Sequence, residues 1–371
     1  MYVHVPFCRR KCRYCDFYSR PPKADELDRF VDAVAGEASA RPCVGRVETV
    51  YLGGGTPSLL GARRLTKILD ELRRLYQIAG DAEITVEVNP QDVTPEFAAD
   101  CLDAGFNRMS VGVQSVFAEE LGFLGRLHRP ADGPRAVEVL REAGFTEIGI
   151  DLIYGLPRQT PAMAEERVRL AVETCRPTHV SAYQLTYAAG TPLWGELESG
   201  RIRRHGEDDE FALFRSVHRA LRNLGYPAYE VSNFSLDDAH RSLHNSSYWR
   251  HLPYVGLGPS AHSFQPPVRL WNIADLDRYL AALAAGESPL DDSEALTDDQ
   301  LAAEMVMLAL RTTDGLDLAA FRERFGRDLA SERAEQIGRA ESEGLVVLAD
   351  GCLRPTPTGL AVADRLAVEL C

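Results

Sequence analysis

The feature that most constrains this chain is a hydrophobic period that keeps switching between 2 and 3.6. Short β-branched runs alternate with one-sided helical segments up to about residue 225. Strands are predicted over 2–5, 47–52, 84–88, 108–113, 147–153 and 179–186. Helices are predicted over 25–38, 59–76, 94–105, 134–143, 161–174 and 208–224. In the first helix Leu27, Phe30, Val31 and Val34 fall at i, i+3, i+4 and i+7, one face of a helix. Thr94 and Pro95 supply a cap and a first-turn proline, and Gly144 and Gly225 close their helices. Six β–α units predict a parallel sheet curling towards a barrel. They are too few for eight-stranded closure, so the predicted fold class is α/β, a partial (β/α)6 barrel. Ligands of such sheets bind at the C-terminal strand ends.

Three cysteines, Cys8, Cys12 and Cys15, follow the first strand at C-x3-C-x2-C spacing. One loop of that length can wrap a metal centre and supply three thiolates. A structural zinc site takes four ligands, and no fourth Cys or His lies in the loop. A 4Fe–4S cluster held by three cysteines leaves one iron without a protein ligand. The open cluster is the expected reading. A zinc site completed by a distant residue, or three unrelated buried thiols, are the alternatives. Cys43, Cys101, Cys175, Cys352 and Cys371 stand singly and are read as small buried hydrophobes, with no second cluster.

The second strand runs into Gly53-Gly54-Gly55-Thr56-Pro57-Ser58. Glycines let backbone approach a ligand closely, although by itself such a run is a weak signal and a plain turn is its ordinary reading. It lacks the G-x-x-x-x-G-K-[ST] pattern of a nucleotide-binding loop. Glu87, Gln114 and Asp151 are polar groups near the ends of otherwise apolar strands. One would be a satisfied core residue; several at the same end of one sheet read as a site.

The formal charge of −14 makes a long nucleic-acid backbone a poor partner. No apolar run approaches the roughly 20 residues that span a bilayer, which leaves at most peripheral membrane contact. The N-terminus lacks the apolar core of a signal peptide, so a cytoplasmic location is expected. After residue 225 the pattern changes. His244-Asn245-Ser246-Ser247-Tyr248-Trp249 reads by itself as a surface loop with an aromatic anchor. Residues 287–296 look like a linker. Helices are predicted over 297–310, 316–325, 331–343 and 359–370, with a hairpin over 344–353, as in a small winged-helix domain. That segment is no DNA reader, since 291–371 holds 8 Arg against 17 Asp or Glu. The predicted division is therefore 1–225, a barrel extension at 226–290, and a C-terminal winged-helix-like unit at 291–371.

The cysteine loop, the glycine run and the partial barrel resemble the radical S-adenosylmethionine (SAM) superfamily. Tyr2-Val3-His4-Val5-Pro6-Phe7-Cys8 and Gly149-Ile150-Asp151-Leu152-Ile153-Tyr154-Gly155-Leu156-Pro157 resemble its coproporphyrinogen-oxidase-like branch. The resemblance implies a 4Fe–4S cluster on Cys8, Cys12 and Cys15, its open iron chelated by the methionyl end of SAM. It implies that Gly53, Gly54, Gly55 and Thr56 bind that end, and that Glu87, Gln114, Arg126 and Asp151 contact SAM. Tyr2 and His4 match positions beside the cluster and substrate, and Tyr2 is counted with the SAM contacts. The H-N-x-x-Y-W segment resembles a signature of the HemW-type haem chaperones. That resemblance implies haem binding by His244, Asn245, Tyr248 and Trp249, with His244 as the candidate ligand and His262 behind it. Arg158 and Ser260 stand where relatives often carry glycine.

The implied function is binding of haem and its delivery to haem-requiring respiratory proteins, with a homodimer possible. No catalytic residue is assigned. The alternative is a radical enzyme acting on a tetrapyrrole, or a related methyltransferase; a zinc-binding scaffold stands third. The oxygen-independent oxidases carry a further cysteine where this chain has Phe17, and an extension ahead of the strand that here starts at Tyr2. Coproporphyrinogen III oxidase activity is therefore expected to be absent.

Overall fold

The computed structural model describes residues 1–41 and 45–371 of the chain, so the reading of Cys43 lies outside the described residues. The predicted strands form one sheet: β1 (Tyr2–Val5), β2 (Val47–Gly54), β3 (Ile78–Val88), β4 (Arg108–Gln114), β5 (Glu147–Tyr154) and β6 (His179–Gln184). Two short strands extend it, β7 (Asn233–Ser235) and β8 (Gly256–Leu257). The order is β7-β6-β5-β4-β3-β2-β1-β8. All neighbours are parallel except β7, which runs antiparallel to β6. β7 and β8 do not pair, so the sheet curls without closing, and the partial six-unit barrel is the fold found.

Helices cover the convex face: α1 (Glu26–Ala40), α2 (Ala62–Leu75), α3 (Pro95–Asp103), α5 (Asp132–Ala143), α6 (Pro161–Cys175) and α8 (Glu207–Asn223), while α4 (Ala118–Leu124) and α7 (Pro192–Glu198) pack beside the cysteine loop, where Arg13 N donates to Leu124 O and Leu193 N to Arg13 O. Thr94 caps α3 as its position suggested, accepting from Phe97 N. Strand alternation sends Val50, Leu52, Val86, Met109, Val111, Ile150 and Val180 outwards, into a core shared with Phe30, Leu65, Leu69 and Val137 of the helices. The opposite face is polar. Register puts Tyr2 beside Tyr51, Tyr51 beside Thr85, Thr85 beside Arg108 and Arg108 beside Glu147. Two strand positions on, Glu87 lies beside Ser110, Ser110 beside Gly149 and Gly149 beside His179.

That polar interior is plugged at its N-terminal end. The segment read as a loop is a helix, α9 (Leu243–Trp249), and His244 is 2% exposed. The Glu83 carboxylate accepts from Leu243 N at 3.0 Å and His244 N at 2.8 Å, satisfying amides that a helix start leaves free. Arg108 stands 3.7 Å from Glu83 and 3.3 Å from Glu147, so the buried carboxylates are not left alone.

Next come α10 (Leu276–Ala284) and an antiparallel sheet of β9 (His262–Gln265), β10 (Val268–Asn272) and β11 (Leu290–Ala295). Residues 287–296 are thus not a free linker: β11 pairs with β10 along its length. Its run of acidic and small residues carries no strand signal, and the ladder comes from its partner. The C-terminal unit contains α11 (Asp298–Ala309), α12 (Leu318–Phe325), α13 (Leu329–Glu332), α14 (Ala334–Ser342), α15 (Pro357–Leu360) and α16 (Ala363–Leu370). With them goes a small sheet of β12 (Leu316–Asp317), β14 (Cys352–Pro355) and β13 (Val346–Ala349). The helices and hairpin match the predicted winged-helix-like pattern. Val231 N donates to Arg311 O and Thr313 N to Tyr229 O, tying this unit to the barrel edge. No helix among the described residues is long and apolar enough to cross a membrane.

Candidate functional site

The glycine run follows β2 to the C-terminal edge of the sheet, where it locks the cysteine loop in place. Gly55 N donates to Val5 O at 2.8 Å and Thr56 N to Phe7 O at 2.7 Å. A Cβ on Gly55 would stand 2.6 Å from Val5 O and 2.7 Å from Phe7 O, a backbone clash that glycine alone avoids. Gly54 has φ of +100° and packs on the His4 ring. The run is therefore more than a turn: it is the surface against which Cys8 is held.

Cys8, Cys12 and Cys15 line one cavity of about 410 Å³ with Gly54, Gly55, Thr56, Glu87, Gln114, Arg126 and Asp151. Sequence-distant residues from five strands and their loops thus meet at one end of the sheet. The cysteines are half-buried, and burial pushes the Cys15 thiol up to about 11. Among the described residues no three His, Cys, Asp or Glu side chains converge closely enough to hold a single metal ion. Three thiols spread around a cavity suit a cluster, whose cysteines bind different irons, better than one zinc ion. Cys8 Sγ lies 3.3 Å from Thr56 Oγ1, and Arg126 Nη1 lies 3.5 Å from Cys12 Sγ. Arg126 also donates to Asn89 Oδ1 at 2.5 Å and Gly112 O at 2.8 Å, which fixes its guanidinium beside the loop.

Glu87 accepts from the Tyr51 hydroxyl at 2.7 Å and from Gly54 N at 3.2 Å. Burial, with Asp151 facing it, raises its pKa to about 7. Asp151 accepts from Ser110 Oγ at 3.1 Å, and burial raises its pKa to about 6, opposed by Ser181, Ser110 and Arg126. Two raised carboxylates beside thiols make a pocket that favours a cation or hydroxyl donors. Gln114 has φ of +63°, where the β4–β5 register shifts, so the strand end turns into the pocket. Tyr51, Asn89 and Tyr183 are among the contributors that went unread in the sequence. Tyr51 and Tyr183 fall on the inward alternation of β2 and β6, the one signal that could have found them.

Tyr2, expected among the SAM contacts, and His4 are not among the residues lining that cavity, and the haem candidates also lie elsewhere. Tyr2 and His4 sit behind the glycine run, with Tyr2 Oη 3.0 Å from His4 Nδ1 and His4 Nε2 2.9 Å from Tyr18 O. His244 Nδ1 is 2.8 Å from Thr49 Oγ1 and its Nε2 is 3.0 Å from Tyr248 Oη. Burial holds its pKa well below the ordinary histidine value. An iron reaching this ring must displace one of those partners. Asn245, Tyr248 and Trp249 are half-buried on the same helix. His262 is exposed and stacked on Trp271. Arg158 and Ser260 have φ of +66° and +64°, the conformation that explains glycine at such positions. Of the single cysteines described, Cys101 and Cys175 are buried, while Cys352 and Cys371 are only partly so.

Comparison with known proteins agrees with this arrangement. The Radical SAM superfamily profile matches residues 2–171 and the HemN C-terminal domain profile matches residues 296–362. A Mycobacterium tuberculosis protein named heme chaperone HemW is 37% identical over 95% of this chain and 88% of its own length. A Bacillus subtilis protein of the same name is 31% identical over 98% of this chain and 97% of its own. The solved structure of Escherichia coli coproporphyrinogen III oxidase (HemN) superposes with a TM-score of 0.84 at 23% identity, covering 100% of this chain and 89% of that one. At that identity the likeness shows the fold. The chain belongs to the HemW family of the radical SAM superfamily.

Proposed function

We propose that this protein is a haem chaperone that holds a 4Fe–4S cluster and SAM and passes haem to haem-requiring respiratory proteins. The observation that carries the reading is the 37% identity, along nearly the whole chain, to a relative named heme chaperone. The geometry supports the cofactor part. Cys8, Cys12 and Cys15 would hold the cluster, and its fourth iron would offer the methionyl amine and carboxylate of SAM a place to chelate. Gly54, Gly55 and Thr56 would lie along the methionyl chain, and Arg126 would pair with its carboxylate. Glu87 and Asp151 would accept from the ribose hydroxyls and face the sulfonium charge. When bound and reduced, the cluster would supply the electron that cleaves SAM; this chain's residues orient the ligand and keep it beside the thiols.

For haem, we place the contact on α9. Tyr248 and Trp249 are within reach of solvent, and His244 becomes a ligand once Tyr248 releases its Nε2. A cytoplasmic location and the domain limits 1–225, 226–290 and 291–371 belong to the same reading. Anaerobic reconstitution followed by haem titration tests it. The expected result is a cluster-bearing chain with a Soret band that saturates with haem. His244→Ala should shift or weaken that band and leave iron–sulfur content intact. A reconstituted chain that shows no saturable haem binding would refute the proposal.

A radical enzyme acting on a tetrapyrrole is the second reading, favoured by the assembled carboxylate pocket around the thiols. Phe17 lines that cavity where the related oxidases carry a cysteine, which weighs against coproporphyrinogen III as its substrate.

A further inference from the structure

A second cavity, of about 460 Å³, opens on the outside of the barrel. It lies between α8 and the start of α15, and its walls include Phe211, Arg215, His218, Arg219, Arg222 and Pro357. Arg215, Arg219 and Arg222 follow i, i+4, i+7 spacing and so share one face of α8. On a chain of formal charge −14, three guanidinium groups along one cleft are a local reversal of sign. Arg219 pairs with Glu165 at 2.9 Å and Arg215 lies over the Phe211 ring. Among the described residues neither Arg215 nor Arg222 has an ion-pair partner. Unneutralised arginines beside an aromatic ring are suited to carboxylates on an otherwise apolar body.

His218 adds a second chemistry. Its Nε2 is 3.1 Å from Val231 O, and a carbonyl only accepts, so Nε2 carries the proton and Nδ1 keeps its lone pair. Phe214 stacks on one face of the ring at 3.8 Å and Phe234 meets it edge-on at 4.7 Å. Burial, aided by Arg222, holds its pKa down to about 4, so the ring is neutral at neutral pH. Among the described residues Nδ1 makes no hydrogen bond. An imidazole oriented by an N–H-to-carbonyl bond, with its other nitrogen free, is the usual form of a metal-binding histidine.

We propose that this cleft binds an amphipathic dicarboxylate of tetrapyrrole size, its carboxylates on Arg215 and Arg222 and its flat body against Phe211 and Pro357. Where the ligand carries iron, His218 Nδ1 is its ligand. The volume falls within the roughly 300–1,000 Å³ of small-molecule pockets. The proposal rests on the haem reading and makes this cleft a second site, separate from the one on α9 in the barrel plug.

The test titrates the full chain with iron-free protoporphyrin IX, with its dimethyl ester, and with haemin. Arg215→Gln/Arg222→Gln leaves no buried carboxylate without a partner, so unchanged melting and iron content should show that it folds. Its Kd for protoporphyrin IX should rise about tenfold or more, as expected for two lost charge-assisted contacts. The ester should bind the unaltered chain more weakly and should not distinguish it from the variant. His218→Phe should alter the haemin Soret band and spare the affinity for iron-free protoporphyrin. If the unaltered chain binds porphyrin and the double variant binds it equally well, the cleft is overturned and the haem reading stands. If the unaltered chain binds neither porphyrin nor haemin, both fall.

Discussion

The imidazole of His244 lies flat on the ring of Tyr51, with centroids 4.8 Å apart and planes 18° from parallel. Tyr51 in turn donates to Glu87, so one side chain joins the carboxylate pocket at the top of the sheet to the helix that plugs its base. Tyr51→Phe keeps the ring and removes the hydroxyl. SAM affinity should fall roughly 3- to 10-fold, the worth of one ordinary hydrogen bond. Calorimetric titration of the cluster-loaded variant checks it, and an unchanged Kd would mean that Glu87 needs no such anchor.

His244→Ala removes that stacked ring and leaves Thr49 and Tyr248 without their partner. A cost of about 2–4 kcal/mol in urea denaturation is expected from the lost packing and orphaned hydroxyls. Haem measurements on this variant therefore need a parallel measure of folding. A loss below about 0.5 kcal/mol would show that the ring is not part of the core.

Gly55→Ala places a methyl against the Val5 and Phe7 carbonyls. The strand and the cysteine loop must separate, so iron content should fall sharply while Cys101→Ala, far from the loop, keeps it. Iron and sulfide analysis after reconstitution decides; full loading of Gly55→Ala would contradict the close packing.

Legibility followed the hydrophobic period. All six principal strands were readable because each is an apolar run that must be buried on its outer face, and the pocket residues stood out as polar breaks in such runs. Tyr51 and Tyr183 were missed because an aromatic residue in a strand looks like core; their place in the strand alternation was the one sign that they face inwards, and the register bears it out. β11 was read as a linker because Leu290–Ala295 is acidic and its order comes from pairing with β10. α9 was missed as a helix because Asn, Ser and Ser weaken helix propensity, and the burial that overrides it comes from Glu83 and Thr49, distant in sequence.

Glu87 and Asp151, with pKa values raised to about 7 and 6, make SAM binding depend on pH. Glu87 is faced by Tyr51 and Asp151, and Asp151 by Ser110, Ser181 and Arg126. In the free pocket both carboxylates hold protons below these values, and a cationic ligand requires them ionised. SAM affinity should therefore rise from pH 5.5 to 7.5 and level off above about 8. The ligand-free protein should show the opposite trend in stability. A folded carboxyl pKa above its unfolded value favours the native state at lower pH, and that advantage is lost as pH rises towards 7. Affinity that is flat across this range would show that neither carboxylate meets the ligand.

Ser260→Gly relieves a side chain held at φ of +64°. A gain of about 0.5–1 kcal/mol is expected, since left-handed strain exceeds the entropy that glycine adds to the unfolded chain. Thermal melting at constant pH checks the sign; a lower melting temperature would mean that the serine side chain contributes more than its backbone costs.

The central claim is that this chain holds haem and does not remake porphyrinogen. Its most direct test gives the anaerobically reconstituted, reduced protein excess SAM and coproporphyrinogen III, with a parallel haem titration, and follows products by mass spectrometry. The account predicts about four irons per chain, saturable haem binding, and coproporphyrinogen III recovered with all its carboxyl groups. Protoporphyrinogen IX accumulating over repeated turnovers would contradict it.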